Sequence, residues 1–426
     1  MERYSGVERA IAKSLDAFPV FRRVAKGLYQ RLNYWIHREK EVRCELNPQV
    51  DMRSAMRTRR NRDDESYFFG YYDKTPWSPN MNSILMHREQ DQKVEIVRVL
   101  LGEKEDQVLG TSLAWNYQQG SMAQWITSDI VACNGVQNRR LGTYINSIAN
   151  GMRRFVPWPI QTVHPSGRKA LCLNYKRLYK IRPEYGYEPE VENFSADASP
   201  GNDGVWRVNL GTSKAELVIS LSHLCAHHPR PEMDGALHKV NHAIYSPEGK
   251  RFVFMHRWTG GEGKFSRLYV ADSKGANLRL LMDDRMVSHY SWRDEDHLLV
   301  WGRTEKCGDH YYLVNVVDST WEVVGKGILD KYGDGHPSYS PDRRWIVTDT
   351  YPDKARQRHL LLFDTKTENL AELGRFFAPW AFDGAKRCDL HPRWSPDGKY
   401  ISIDSAHEGV RKSYILDVSA IVDDAD

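Results

Sequence analysis

Four histidines in the second half of the chain stand in the same short context. His242 lies in NHAIYSP, His289 in SHYSW, His336 in GHPSYSP and His391 in LHPRWSP. The last of these continues as SPDGKYISIDS (395–405). There Pro presets φ and Gly accepts a positive φ, so a tight turn feeds an alternating, half-buried strand. Asp389 sits two residues before His391, and on extended backbone both side chains point the same way. Imidazoles gathered with a carboxylate suit a divalent cation, Mn²⁺, Zn²⁺ or Ca²⁺. Cys388 could add a thiolate for zinc, but alternation turns it away from Asp389. The alternative is a polar, water-filled channel whose histidines are hydrogen-bonded.

Whether these residues can meet depends on the elements that carry them. The turn-and-strand unit recurs as TPWSPNMNSILMHRE (75–89), TVHPSGRKALCLNY (162–175), HAIYSPEGKRFVFMHRW (242–258), HYSWRDEDHLLVWGR (289–303), HPSYSPDRRWIVTDTY (336–351) and HPRWSPDGKYISIDS (391–405). A degenerate copy, MAQWITSDIVACN (122–134), fills the early gap. Further strands follow each, as in SRLYVADSKGANLRLL (266–281). Antiparallel units of roughly 40–80 residues, repeated along the chain, predict an all-β, seven-bladed β-propeller. One sheet cannot bury both faces, whereas sheets set in a ring can. Residues just before each innermost strand then converge at one mouth of a central channel. RPEYGYEPEVENFSADASPGND, within 155–235, reads as an inserted loop.

The propeller is expected over 65–426, after a helical extension and linker over 1–64. In the extension Val7, Ile11, Leu15, Phe18, Phe21, Val24, Leu28 and Leu32 make one apolar stripe, with Arg9, Lys13, Arg22, Arg23, Lys26 and Arg31 largely off it. Such a helix packs on the domain or on the partner subunit of a homodimer, or rests on a membrane surface. RSAMRTRRNRDD (53–64) reads as a solvated linker.

The chain has 426 residues, 41% of them hydrophobic, which is ample for a large core. A net charge of +4 is too mild to argue for a nucleic-acid partner. No run of about 18 apolar residues exists, so no segment is expected to span a membrane. The cysteines are scattered without paired spacing and read as reduced thiols, which predicts a cytoplasmic protein.

Other residues are placed to face the channel. They are Arg257 in FMHRW, Arg207 in GVWRVNL, Tyr185 and Tyr187 in RPEYGY, Gln119 and Gln124 in QQGSMAQW, and Tyr71, Tyr72 and Asp73 in FGYYDKTPW. Taken singly, each is equally explained by turn packing or a surface contact. HLCAHHPRPEMDGALH (223–238) reads as a connecting loop over the mouth.

The blades from about 240 to 419 resemble the seven-bladed oligogalacturonate lyases, through NHAIYSPEGKRFVFMHRW, SHYSW and CDLHPRWSPDGKYISIDSAHEG. FFGYYDKTPWSP, WNYQQGSMAQW and RPEYGY are closer to related propeller lyases acting on ulvan. The resemblance implies β-elimination on a uronate oligosaccharide or polysaccharide and a divalent metal held by channel histidines. It matches His289 and His391 to metal-binding histidines and His242 to a histidine implicated in catalysis. Arg207 falls near the arginine that the family places at the substrate. Asp389 replaces a second histidine of the family and Lys386 a glutamine, which implies a weaker site, a different metal or none. Where the ulvan enzymes carry catalytic histidines, this chain has Gln119 or Gln124 and Asn134.

Elimination needs a base at the proton α to the carboxylate and charge stabilisation for the enolate-like state. The expected assignment is His242 as base and Tyr187 or Tyr185 as its helper or as proton donor to the leaving oxygen. Arg207 and Arg257 would be carboxylate clamps, and Tyr185, Gln119, Gln124 and Tyr72 substrate contacts. His289, His336, Asp389 and His391 would be the metal ligands. The competing reading is a non-catalytic propeller that binds glycan or protein in a polysaccharide-assembly system. A glycosidase would need two carboxylates across the bond, and no convincing pair stands out. A propeller-gated peptidase would need a Gly-x-Ser-x-Gly elbow, which the sequence lacks.

Overall fold

The computed structural model describes residues 19–38, 42–56, 65–102, 106–197, 200–261 and 263–423. Seven antiparallel sheets follow one another along the chain. Blade 1 spans 67–112, blade 2 124–156, blade 3 160–220, blade 4 237–282, blade 5 287–324, blade 6 338–377 and blade 7 393–417. This is the seven-bladed propeller that the repeats predict.

The turns explain why the units recur so regularly. In SPDG, the Gly398 amide donates to the Ser395 carbonyl at 3.0 Å, and the Tyr400 amide to Ser395 Oγ at 2.9 Å. The fourth turn position has positive φ at Gly398, Gly249 and Gly167, and also at Arg343 and Met81. The turn geometry therefore persists where glycine has been lost, at some conformational cost. The core lies between blades. Val347, Leu362, Leu373, Leu390 and Ile403 join blades 6 and 7, while Val205, Ile219, Phe252 and Phe254 join blades 3 and 4.

The boundary at residue 64/65 needs correction. Strand β1 (Cys44–Leu46) adds a fifth strand to blade 6, and β2 (Asp51–Ser54) is the outermost strand of blade 7. The N-terminal segment therefore closes the ring. Met52 pairs with Leu416 and Ser54 with Tyr414, and Ala55 and Met56 are buried beside Trp77 and Ile415. Sequence patterning missed these strands because each is only three or four residues long. Most of the proposed linker, 57–64, lies outside the described residues, as do Val7, Ile11, Leu15 and Phe18 of the predicted stripe.

Helix α1 (Pro19–His37) lies against the propeller through Tyr34, whose ring is 5.9 Å from Phe377 and 6.0 Å from Trp380. No described helix is long and apolar enough to cross a membrane. The predicted insertion leaves blade 3 between its second and third strands. Ahead of the predicted stretch, α2 (Tyr175–Ile181) lengthens the excursion, and the stretch itself opens with a short turn at Pro183–Tyr185. Asn174 caps α2 by accepting the Arg177 amide, and its side-chain amide reaches the Asp203 carboxylate at 2.9 Å. Arg177 pairs with the same Asp203 and donates to the His238 carbonyl. The excursion is thus pinned at both ends, and Tyr185 is carried back to the propeller axis.

Candidate functional site

The four histidines meet around a tyrosine. The Tyr71 ring, from the segment after the first strand of blade 1, lies 4.8 Å from His242, 4.9 Å from His391, 5.9 Å from His336 and 6.5 Å from His289. All five side chains are buried. Blades 1, 4, 5, 6 and 7 each contribute one residue: His242 and His289 from within the first strands of their blades, His336 and His391 from just ahead of theirs, and Tyr71 from just after its own. This convergence is what the ring geometry demands of residues far apart in sequence.

Carboxylates from neighbouring strands fix the rings. One Asp349 carboxylate accepts from His336 Nδ1 at 2.7 Å, from the His336 amide at 2.9 Å and from the His391 amide at 3.0 Å. It thereby ties the approaches of blades 6 and 7 together. His391 Nδ1 donates to the Gly70 carbonyl at 2.9 Å, and His289 Nδ1 to Asp334 at 2.8 Å. Asp404 accepts the Phe69 and Gly70 amides at 3.1 and 3.0 Å and so holds the segment that presents Tyr71. Tyr72 bridges to blade 5, its hydroxyl donating to the Tyr290 carbonyl and accepting the Tyr290 amide. His242 and His391 both sit at positive φ, 55° and 46°. Non-glycine residues in this region are strained, and such strain concentrates at functional sites. Tyr290 secures the His242 conformation with a hydrogen bond to its carbonyl.

Several buried polar atoms in this cluster have no hydrogen-bond partner: Tyr71 Oη, His242 Nδ1, His336 Nε2 and His391 Nε2. Orphaned groups cost stability, so their concentration here marks a place built for a ligand. His336, Asp389 and His391 offer ligand atoms that all lie within 4.8 Å of one another. With Nδ1 of each histidine anchored, both Nε2 atoms face the group, the arrangement usual for metal-bound imidazole. Burial would raise the Asp389 carboxyl, but Arg387 and Arg358 outweigh it and hold it well below the usual carboxylate range. Arg387 donates to Asp389 at 2.7 Å, and Arg358 Nη1 lies 2.7 Å from its other oxygen. Two imidazoles and a carboxylate fit Zn²⁺ or Mn²⁺. Ca²⁺, which takes about six to eight oxygen ligands, matches them poorly. His289 is outside this group but adjacent, its ring 4.2 Å from His336. Cys388 is buried, and burial pushes its thiol up to about 11.

On the blade 4 side the surroundings are cationic. Lys239 and Arg257 are register partners on adjacent strands, and neither forms an ion pair with a carboxylate among the described residues. Burial and then Arg257 push the Lys239 ammonium down to about 7. Burial and the Arg257 charge hold His242 well below the ordinary imidazole value, so it is neutral at neutral pH. Burial lifts the Tyr71 phenol, which stays protonated. Tyr185 lies edge-on to His242 at 5.1 Å, and its hydroxyl accepts from Arg387 at 3.0 Å. Tyr351, 37% exposed, lies 6.4 Å from His289 and 6.0 Å from His336, on the side where the cluster meets solvent.

The structure thus gathers His242, His289, His336, His391, Asp389, Tyr72, Tyr185 and Arg257. Four expected site residues stand in structural positions instead. Arg207 lies on the third strand of blade 3, where it binds Glu216 at 2.7 Å and the Ser273 carbonyl, because its strand is two removed from the channel. Tyr187 is stacked on Tyr175 at 4.3 Å and accepts from Asn134, as part of the packing between blades 2 and 3. Gln124 bridges the Val163 amide and the Met122 carbonyl. Gln119 supports Gly70 from below: a Cβ on Gly70 would meet the Gln119 carbonyl carbon at 2.8 Å.

Tyr71 was singled out only beside Tyr72, without a role. Asp349, Asp334 and Asp404 carry no local signal, since what defines them is a partner on another blade. A second histidine group, Cys225 with His238 and His256, is also compact. There Arg267 Nε donates to His256 Nδ1, His256 Nε2 bonds to His238 Nδ1, and His238 Nε2 faces the Met233 carbonyl. Every ring nitrogen is engaged, so this is a relay of hydrogen bonds, with no lone pair free for an ion.

Comparison with solved structures supports the architecture. The chain is similar to an oligogalacturonate lyase from Vibrio parahaemolyticus, with 12% identity over 88% of this chain and 98% of that one, and a TM-score of 0.60. It is similarly close to an oligogalacturonate lyase in complex with manganese, with 14% identity, the same coverage and a TM-score of 0.62. Identity this low shows a shared fold. No family model matches the sequence, and no curated protein matches it.

Proposed function

We propose that the chain is a propeller lyase that cleaves a uronate-containing oligosaccharide or polysaccharide by β-elimination. The observation that carries the reading is the pairing of His242 with Tyr71. A neutral imidazole with an unpartnered Nδ1 is stacked on a protonated phenol with an unpartnered hydroxyl, beside Arg257, which forms no ion pair with a carboxylate among the described residues.

In this reading the uronate carboxylate is held by Arg257 and Lys239, with Arg182 nearby at the face of Tyr185. Arginine grips a carboxylate through a planar fork and lysine as a point charge. Fixed cations favour the enolate-like charge that develops when the α proton leaves. His242 takes that proton. The C–H electron pair becomes the new C=C bond, the bond to the leaving sugar oxygen breaks, and Tyr71 protonates that oxygen. His336, Asp389 and His391, with His289 beside them, would hold the divalent ion. When bound, it would neutralise carboxylate charge and lower the barrier to proton removal. Tyr185 and Tyr72 line the same space, with Arg387 orienting Tyr185.

The binding-only propeller has one observation in its favour. Asp389 is already neutralised by the buried Arg358 and the half-buried Arg387, so the polar network is partly self-sufficient without an ion. Incubation with a panel of uronate oligosaccharides separates the readings. A lyase generates a product with a conjugated double bond that absorbs in the ultraviolet; a binding module retains the glycan unchanged.

A further inference from the structure

We infer that α1 docks the protein on a membrane surface rich in anionic lipid. The inference stands apart from the chemistry proposed above. The helix is amphipathic in the reverse of the usual sense for a helix packed on a domain. Its inner side is polar: Asn33 is buried and Gln30, Tyr34 and His37 are half-buried. Asn33 and His37 satisfy themselves on the helix backbone, donating to the Tyr29 and Asn33 carbonyls. Its outer side is apolar. Leu28, Leu32, Trp35 and Ile36 fall on one helical face and are 65%, 60%, 64% and 66% exposed. Soluble proteins rarely leave such a contiguous patch without a partner.

Charge identifies the partner. From Pro19 to Arg38 the sequence carries Arg22, Arg23, Lys26, Arg31 and Arg38 and no acidic residue. Arg31 is exposed near Trp380, and Arg38 lies over the exposed face of Trp35. An apolar face containing tryptophan, with the exposed Arg31 and Arg38 beside it, is complementary to anionic headgroups over acyl chains. A second copy of the same face would bring like charges together. Since no described helix is long and apolar enough to cross a bilayer, α1 would lie in its surface plane.

The test is flotation of the full chain with vesicles of phosphatidylcholine alone or mixed with phosphatidylglycerol. The expected result is recovery with the mixed vesicles at least about tenfold above that with phosphatidylcholine alone, weakened as salt shortens the screening length below about 10 Å. The triple variant Leu28→Glu, Leu32→Glu, Ile36→Glu changes only exposed positions. It should keep the wild-type melting temperature and stay in solution. Equal flotation of that variant, or a wild-type chain that ignores anionic vesicles, overturns the inference. A wild-type dimer that the triple variant dissociates, with no vesicle binding, would assign the face to a second copy instead.

Discussion

The rings of Tyr71 and His242 lie 4.8 Å apart and within 10° of parallel, although one comes from blade 1 and the other from blade 4. Each carries a buried polar atom without a hydrogen-bond partner. The pair can therefore give and take a proton in the same small space, and the propeller is the device that brings it together.

Removing the proposed base should be costly in rate and cheap in structure. Asparagine tolerates the positive φ of residue 242 better than most residues. His242→Asn is therefore expected to keep the melting temperature within a few degrees while lowering kcat by about 10²–10⁴-fold. Steady-state kinetics with circular-dichroism melting checks both halves.

Tyr71→Phe removes a hydroxyl that satisfies no partner in the resting protein. Stability should be unchanged or slightly higher, because the desolvation cost of an orphaned group disappears. Activity should fall at least about tenfold if the phenol is the proton donor. A fall in stability with full activity would give Tyr71 a packing role alone.

Asp389→Asn leaves the buried Arg358 and the half-buried Arg387 without their carboxylate. Breaking a buried ion network in this way costs about 3–5 kcal/mol, which denaturant titration would register. Metal content of the purified protein, compared with His336→Ala and His391→Ala, tests the ion site independently. Loss of zinc or manganese in both variants is the expected outcome.

Acid should destabilise the fold below about pH 6.5, the ordinary imidazole value. Burial lowers the His87 and His407 imidazoles to about 4, and it also lowers His242, His289 and His391. Between the folded and unfolded values the unfolded chain binds more protons, so stability rises with pH across this window and is lost as pH falls through it. His359, raised by its hydrogen bonds to Asp353 and Glu372 against the opposing effect of burial, acts in the opposite sense, but it is outnumbered. A melting temperature that falls steadily from pH 7 toward pH 4 is expected; a flat profile would contradict the burial of these rings.

Ring closure by β1 and β2 predicts a sharp truncation boundary. A chain beginning near residue 42 should fold with wild-type cooperativity. A chain beginning near residue 57 would expose the edges that pair with β1 and β2, and it should aggregate or melt many degrees lower. Solubility and calorimetry of the two truncations decide it.

The sequence was most legible where geometry repeats. The Ser-Pro-x-Gly turns betrayed the blades because each needs the same φ pattern, and the histidines betrayed the axis because they occupy the same slot in each unit. What stayed hidden was defined by partners on other blades. Arg207 was expected to be a clamp because it falls near the arginine that the resembled family places at the substrate, yet radial position decides what a blade residue faces, and the sequence pattern does not encode it. Tyr185 and Tyr187 are two residues apart in one motif, and the path of the insertion separates their fates. Asp349 joins two blades with a single carboxylate, a role visible only in three dimensions.

In the proposed reaction the histidine–tyrosine cluster removes a proton and expels a sugar. The most direct measurement is the ultraviolet absorbance of unsaturated product when the purified wild-type chain, His242→Asn and Tyr71→Phe meet the same uronate oligosaccharides. Product is expected from the wild-type chain, with near loss in both variants. Product formed equally by all three, or glycan bound by the wild-type chain and recovered intact from every uronate tested, would contradict it.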